Sequence, residues 1–416
     1  MGKEIAVIDI RNRSYKLVVG YYDEDKVQII YSLTHPLTTI VKDGEIFNLN
    51  TLVKDLEFIK RIDDPSKSIK LNIYDVVLVY PSFGLRIFNA NSQTNTISPD
   101  SHIEKMDIVN CLSLVKKQKL PDVNSELIDV LPNYFAIEGN KQFYEPPIGE
   151  ISSSITMNAN VYSLPKKLMN DLRKAVSDAG LKIKKEVIAP VGDAYYLSKN
   201  NYRYKIYVLV EIGQKTTTLN FVANGKVYES NFISIGGDDL TESIATKLGI
   251  PFAEAENLKK IYGLDTRKNS FNPYITTKTN DVGLKVGYTK EDLNGVVAEF
   301  LKYWSNNLSN ALKTLLGTNY SEYLTKIPLV LIGEASKLNG LKDYLLRIFQ
   351  TNPIDIIKTN VIGADSTSFF NCLGAICYAS SYKSLDDLEK SRVNELERDT
   401  KKSNRNTKYS ETSDEL

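Results

Sequence analysis

Two short stretches of this chain share one plan. Residues 5–16 (IAVIDIRNRSYK) and 207–217 (YVLVEIGQKTT) each run as an apolar strand, one acid, a polar turn and a second strand. The repeat continues past the acids, Asp9 and Glu211. After Asp9 come an apolar run at 17–20, a polar turn at 23–26 and a further strand at 27–31; after Glu211 come 218–222, the turn signal Asn224-Gly225, and 227–229. Both halves read as three-strand meanders in matching order. Two such units about two hundred residues apart predict a duplicated core that grips one anionic ligand between its halves.

The length of 416 residues allows two or three domains, and a hydrophobic content of 42% is enough for real cores. A net charge of +1, from 52 basic and 51 acidic residues, gives no general pull toward anionic polymers, so no nucleic-acid partner is expected. The first residues read as a strand carrying an acid rather than a secretory signal, and Ala6 does not meet the Ser/Thr requirement of a myristoylation site. No apolar run approaches bilayer length. Three cysteines and two histidines without ligand spacing argue against a His/Cys metal centre and for a reducing cytoplasm.

Along the chain, a helix is predicted near 52–61. The character changes over 83–164, with strands at 85–91 and 133–137, a helix at 101–117 and a loop at 143–149. Residues 163–165 then open a helix whose Leu168, Leu172, Ala175 and Ala179 recur at helical spacing and which Gly180 stops. Further on, 234–237 leads into a helix with Leu240, Ile244 and Leu248, and polar strands follow over 274–287. Thr289 and Asp292 have capping-box spacing ahead of a long helix with the stripe Leu293, Val296, Val297, Phe300, Trp304, Leu308 and Leu312. A buried strand is expected at 328–332 and a closing helix at 369–380. Within the latter, Cys372 and Cys377 fall on different faces, which argues against a disulfide.

In their order these motifs resemble the FtsA family, bacterial actin homologues that tether the division ring, from about Lys3 to Ser380. Asp9 through Lys16 is similar to the first phosphate loop, Glu211 through Thr218 to the second, and 234–238 (SIGGD) to a family turn with Gly236 and Gly237. Residues 253–263 (AEAENLKKIYG) resemble the Ala-Glu-x-x-Lys helix, and 333–336 (GEAS) the adenosine motif. The segment 83–164, with 131–134 (LPNY) and 147–149 (PIG), resembles the subdomain this family carries in place of actin's usual one. The resemblance implies an α/β, duplicated actin-like (ribonuclease H-like) ATPase fold, with two lobes around a nucleotide cleft and an inserted subdomain. It divides the chain into a first lobe core (1–82, 165–203), the insert (83–164), a second lobe core (204–236, 318–368) with its own insert (237–317), the closing helix (369–384) and a polar, disordered tail (385–416).

ATP or ADP with Mg²⁺ needs donors at the phosphates and carboxylates on the metal's waters. The resemblance gives the metal, through water, to Asp9 and Glu211, which are also the expected catalytic positions; it gives phosphate to Lys16, ribose and adenine to Glu256 and Lys259, and adenosine to Gly333, Glu334, Ala335 and Ser336. The loops depart from the family pattern. Arg11 and Asn12 stand where Gly and Ser/Thr are expected, and Gly213, Gln214, Lys215 and Thr216 retain one glycine. Either phosphate contact passes to Arg11, Arg13 and Lys215, or these cations decorate exposed turns. Ala189 stands where related ATPases place a water-activating Glu, so at most a slow ATPase is expected.

The resemblance further implies self-association into filaments, a position at the inner face of the membrane at the division site, and binding of the C-terminal peptide of the tubulin-like FtsZ. On the long helix, Phe300 stands at a position where relatives carry an arginine and Lys302 is the nearest cation; Phe300 reads equally as core. The tail is acidic and lacks Trp and Phe, which argues against its binding anionic headgroups and leaves at most a short partner-binding helix. The alternatives are a PilM-type binding platform for a membrane-protein tail and a small-molecule kinase of the same superfamily, for which no carboxylate base is evident.

Overall fold

Strand Ile5–Ile10 hairpins into Ser14–Asp23, which hairpins into Lys26–Pro36. The computed structural model that shows this describes residues 3–39, 41–42, 44–265, 271–279, 285–318, 320–364 and 366–382. Glu24 and Asp25 both take positive φ at the second turn, the backbone that matches the twist of a two-residue hairpin. Ile5–Ile10 also pairs in parallel with Asp75–Tyr80, which pairs in parallel with Lys182–Ile188.

The second half builds the same sheet again. Ile206–Ile212, Thr217–Ala223 and Lys226–Ile233 form its meander, turned by Asn224 and Gly225 at positive φ. Ile206–Ile212 pairs in parallel with Leu329–Ile332, and that strand with Ile354–Ile356. Each five-stranded sheet therefore has one acid-bearing strand at its centre, a meander on one side and two parallel strands on the other. The central strands are buried on both faces, which is why they read as nearly unbroken apolar runs.

Helices Ala189–Lys199 and Phe370–Ser381 pack against each other, and the latter lies on the first sheet. They meet at glycines: a Cβ on Gly374 would lie 2.6 Å from Asp193 Oδ1 and 2.8 Å from the backbone of Gly192. On the second sheet, the long helix Lys290–Leu316 covers Thr217–Ala223 and Lys226–Ile233. Its capping box forms, with Asp292 accepting from Thr289 N–H at 2.7 Å. Leu293, Val297, Trp304, Leu308 and Leu312 are buried, while Val296 and Phe300 are half-buried against the same core. Each such aliphatic side chain contributes roughly 1.5–3 kcal/mol of burial.

A separate compact unit spans Ile87–Ser163. Its four-stranded sheet runs in the order Lys141–Phe143, Ser125–Ile137, Ser154–Pro165, Arg86–Asn95. Helix Lys105–Lys116 supplies Ile108, Cys111, Leu112 and Val115 to a core with Phe135, Ile155 and Met157.

Several element boundaries differ from expectation: the helix expected near 52–61 spans Leu49–Glu57 with a tight turn at Phe58–Lys60, and the strand expected at 133–137 runs Ser125–Ile137. Residues 163–165 end the strand Ser154–Pro165, and the helix starts at Lys166, because Pro165 has no N–H to donate and serves as the entry residue. The helix expected from 101 begins at Lys105, where Asp107 accepts from Glu104 N–H at 2.8 Å. The expected tail at 385–416 lies outside the described residues. Cys111, Cys372 and Cys377 are free and buried, and among the described residues no helix is long and apolar enough to cross a membrane.

Candidate functional site

Asp9 and Glu211 hold the same place in their sheets. Each is the penultimate residue of its central strand; Asp9 lies opposite Lys16 and beside Val79, and Glu211 opposite Thr218 and beside Ile332. The two hairpins face each other. Asn371, from the closing helix, donates through Nδ2 to Glu211 Oε1 at 2.9 Å and reaches Asp9 Oδ2 at 3.5 Å.

Arg11 stands between the acids. Its Nε is 2.5 Å from Asp9 Oδ1 and its Nη1 3.2 Å from Glu211 Oε1. Burial works against the guanidinium's charge, but the two carboxylates outweigh it and hold it protonated. Asp193 is also fully buried, with neither carboxyl oxygen hydrogen-bonded. Burial first, then repulsion from Glu211, pushes its pKa well above the usual carboxylate value in spite of Arg11.

This arrangement differs from the expected hydrated Mg²⁺ between Asp9 and Glu211. One guanidinium already bonds both carboxylates, and Asp9 is fully buried without lining the cleft cavity. Two unit charges 4 Å apart interact by about 4 kcal/mol at an effective dielectric of 20, so Arg11 offsets roughly 8 kcal/mol of the attraction that the two carboxylates would exert on a divalent ion. Among the described residues, no group of three or more His, Cys, Asp or Glu side chains is placed to hold a metal ion. With the guanidinium bonded to both acids, the pair does not offer a divalent cation two free carboxylates.

Further contacts tie hairpin to hairpin. Arg13 N–H donates to Gln214 Oε1 at 3.1 Å, and Arg13 Nε lies 3.0 Å from Asp238 Oδ2. The Arg13 guanidinium also covers the Phe252 ring at 4.8 Å. Burial raises the Asp238 carboxyl against the pull of Arg13, Lys215 and Lys259. Lys215 turns to Glu242 at 2.7 Å and does not line the cavity. The first amides of helix Gly237–Leu248 are also engaged: Gly237 N–H bonds Gly213 O at 2.9 Å and Asp238 N–H bonds Gln214 O at 2.8 Å.

Between the hairpins lies a cavity of about 530 Å³. On its first-hairpin side are Arg11, Asn12 and Lys16. Asn12 donates to Val41 O at 2.6 Å, whereas the Lys16 ammonium has no hydrogen bond or ion pair among the described residues. On its second-hairpin side are Glu211, Gly213, Gln214 and Thr216, with Gly237 behind them. The far wall carries Glu256, Lys259, Gly333, Glu334 and Ala335. Gly333 has φ +87° and a Cβ there would lie 2.5 Å from Ile212 O, so only glycine brings the chain this close to the second hairpin.

Lys259 donates to Gly237 O at 3.0 Å, Thr241 Oγ1 at 2.8 Å and Glu256 Oε2 at 2.6 Å, which engages all three of its protons within the protein. Glu256 is held below the usual carboxylate range: burial raises it, but the bonds from Lys259 and Thr241 prevail. Four of the sequence-predicted positions near the cleft do not line the cavity. These are Asp9, Lys215, Gly236 and Ser336, the last of which is buried with its hydroxyl on Gly333 O at 2.6 Å. Phe300 and the exposed Lys302 lie on the long helix, also outside the cavity.

Sequence reading did not single out Asp193 or Asn371 as site residues. Each carried a signal, being a lone polar group in an otherwise apolar or small-residue helix, 189–197 (APVGDAYYL) and 369–379 (FFNCLGAICYA).

Comparison with known proteins agrees with the resemblance. Residues 208–374 match the family model for "Cell division protein FtsA". Cell division protein FtsA of Enterococcus hirae is 22% identical over 389 residues, covering 93% of this chain and 85% of that protein. The Bacillus subtilis protein of the same name is 20% identical over 379 residues, covering 89% and 82%. Among solved structures, the PilM-PilN type IV pilus biogenesis complex is similar with a TM-score of 0.60 at 15% identity, over 92% of this chain and 100% of that one. MreB 5 of Spiroplasma citri bound to AMPPNP has a TM-score of 0.54 at 13% identity, over 94% and 98%. The structural likenesses show a two-lobed, α/β actin-like fold, and the sequence matches support an FtsA-type, actin-like cell division protein.

Proposed function

We propose that this FtsA-type actin-like protein is a cell-division scaffold that binds ATP or ADP in its cleft, assembles with its own copies into filaments, and links the FtsZ ring to the membrane or to other division partners. The observation that carries the reading is the cavity between the two acid-bearing hairpins, where the unpartnered ammonium of Lys16 faces space for an anion. Phosphates belong on that side. The far wall, with Glu256 and the turn Gly333 to Ala335, takes the nucleoside.

Hydrolysis is slow or absent in this reading. Ala189 replaces the water-activating acid, and Asp193, one helical turn further, is a buried carboxyl that does not reach the cavity. Nucleotide then acts by shifting cleft closure and thereby subunit contacts. The exposed Lys302, next to half-buried Phe300, is the cation available on the long helix for an acidic peptide.

Titration of the purified full chain with a fluorescent ATP analogue tests this. Saturable binding, weakened about tenfold or more by Lys16→Ala, is expected. Absence of saturable binding sinks the nucleotide reading. Electron microscopy with and without ATP addresses filaments, and fluorescence anisotropy with the FtsZ C-terminal peptide addresses the partner. Nucleotide binding without peptide binding turns the reading to a PilM-like platform.

A further inference from the structure

We infer that the Arg11 guanidinium takes the place of a divalent cation between Asp9 and Glu211, so that this cleft holds a nucleotide's phosphates without a metal; the inference rests on the nucleotide reading above. A metal at this place would balance the two carboxylates and offer positive charge to the phosphates. Arg11 bonds both acids, at 2.5 Å from one and 3.2 Å from the other, and with the ammonium of Lys16 on the same cavity wall supplies two positive charges against their two negative ones. For the second, it lines the cavity beside Lys16, whose ammonium is without a hydrogen bond or ion pair among the described residues. Guanidinium presents its donors in a fixed planar fork suited to carboxylate and phosphate oxygens alike.

Packing holds Arg11 in this role. Its backbone N–H bonds Ser14 O at 2.9 Å, closing the first turn tightly, and Asn371 donates to the same Glu211 oxygen, Oε1, at 2.9 Å. A metal bonded directly to both acids would have to displace the guanidinium paired with them. Asp193, fully buried in the same cluster, does not line the cavity and adds no ligand there.

The test compares binding of a fluorescent ATP analogue to the full chain in excess Mg²⁺ and in excess EDTA. Dissociation constants within about twofold of each other are expected. Wild-type affinity that falls more than about tenfold in EDTA overturns the inference while leaving nucleotide binding intact; no binding in either condition overturns the nucleotide reading itself. Arg11→Gln, checked for folding by circular dichroism, is expected to lose more than about tenfold affinity in EDTA, and wild-type affinity there would count against the role. Arg11→Lys keeps a cation and is expected to stay indifferent to Mg²⁺; should Arg11→Gln not fold, metal dependence in Arg11→Lys or in the wild type overturns the inference.

Discussion

Arg11 Nη1 lies 3.2 Å from Glu211 Oε1, so a guanidinium from the first hairpin bonds the acid of the second. Removing the cation leaves Asp9 and Glu211 uncompensated, the case in which a broken buried pair costs most. Arg11→Gln is expected to destabilise by about 3–5 kcal/mol and Glu211→Gln by about 1–2, since Arg11 keeps Asp9. In urea unfolding the double variant should lose less than the sum of the two. Strict additivity would show that the contact does not couple the hairpins.

Asp193 makes stability depend on pH. In the folded chain it keeps its proton well above 3.8, while in the unfolded chain it releases it near 3.9. The folded state then binds more protons, its contribution is complete below about pH 4, and stability falls as pH rises toward the folded pKa at up to about 1.4 kcal/mol per pH unit. Asp193→Asn removes that slope. Urea melts of both proteins at about pH 5 and about pH 7 should show the variant gaining on the wild type at the higher pH; a constant difference would mean the carboxyl is ionised when folded.

The crossing of helices Ala189–Lys199 and Phe370–Ser381 admits no side chain at Gly374, where a Cβ would sit 2.6 Å from Asp193 Oδ1. Gly374→Ala is expected to cost about 1–3 kcal/mol through overpacking. Gly295, within Lys290–Leu316, has nothing within 4 Å of its added Cβ. Gly295→Ala should therefore stabilise by about 0.5–1 kcal/mol, which thermal melts of the two variants can check.

Trp304, the one tryptophan in the sequence, is buried in the second-lobe core with Nε1 donating to Thr217 Oγ1 at 3.1 Å. Its emission should be blue-shifted in the native protein and move red only when that core opens. Trp304→Phe should cost about 1 kcal/mol for the lost bond, plus a packing loss. A native spectrum resembling free tryptophan would contradict this packing.

The meanders were legible because an apolar central strand, a polar turn and a second strand are local patterns, repeated once near Asp9 and once near Glu211. Thr289 and Asp292 announced a helix start for the same reason, as the cap lies within four residues. The strand Ser154–Pro165 was harder to delimit, since its last residues also resemble a helix entry and only the sheet's hydrogen bonds decide between the two. The cations of the turns were the least legible. Exposed decoration, phosphate contact and ion pairing demand the same residue types, and for Arg11 and Arg13 the choice rests on Glu211 and Asp238, about two hundred positions away.

The sequence by itself therefore determined a duplicated α/β core with an acid at the end of each central strand, because strand periodicity and turn chemistry are written in consecutive residues. Only the tertiary structure decided what stands between those acids. Folding brings Arg11, Glu211, Asn371 and Asp193 within one buried cluster, where the cost of an unpaired charge selects the guanidinium as the counterion.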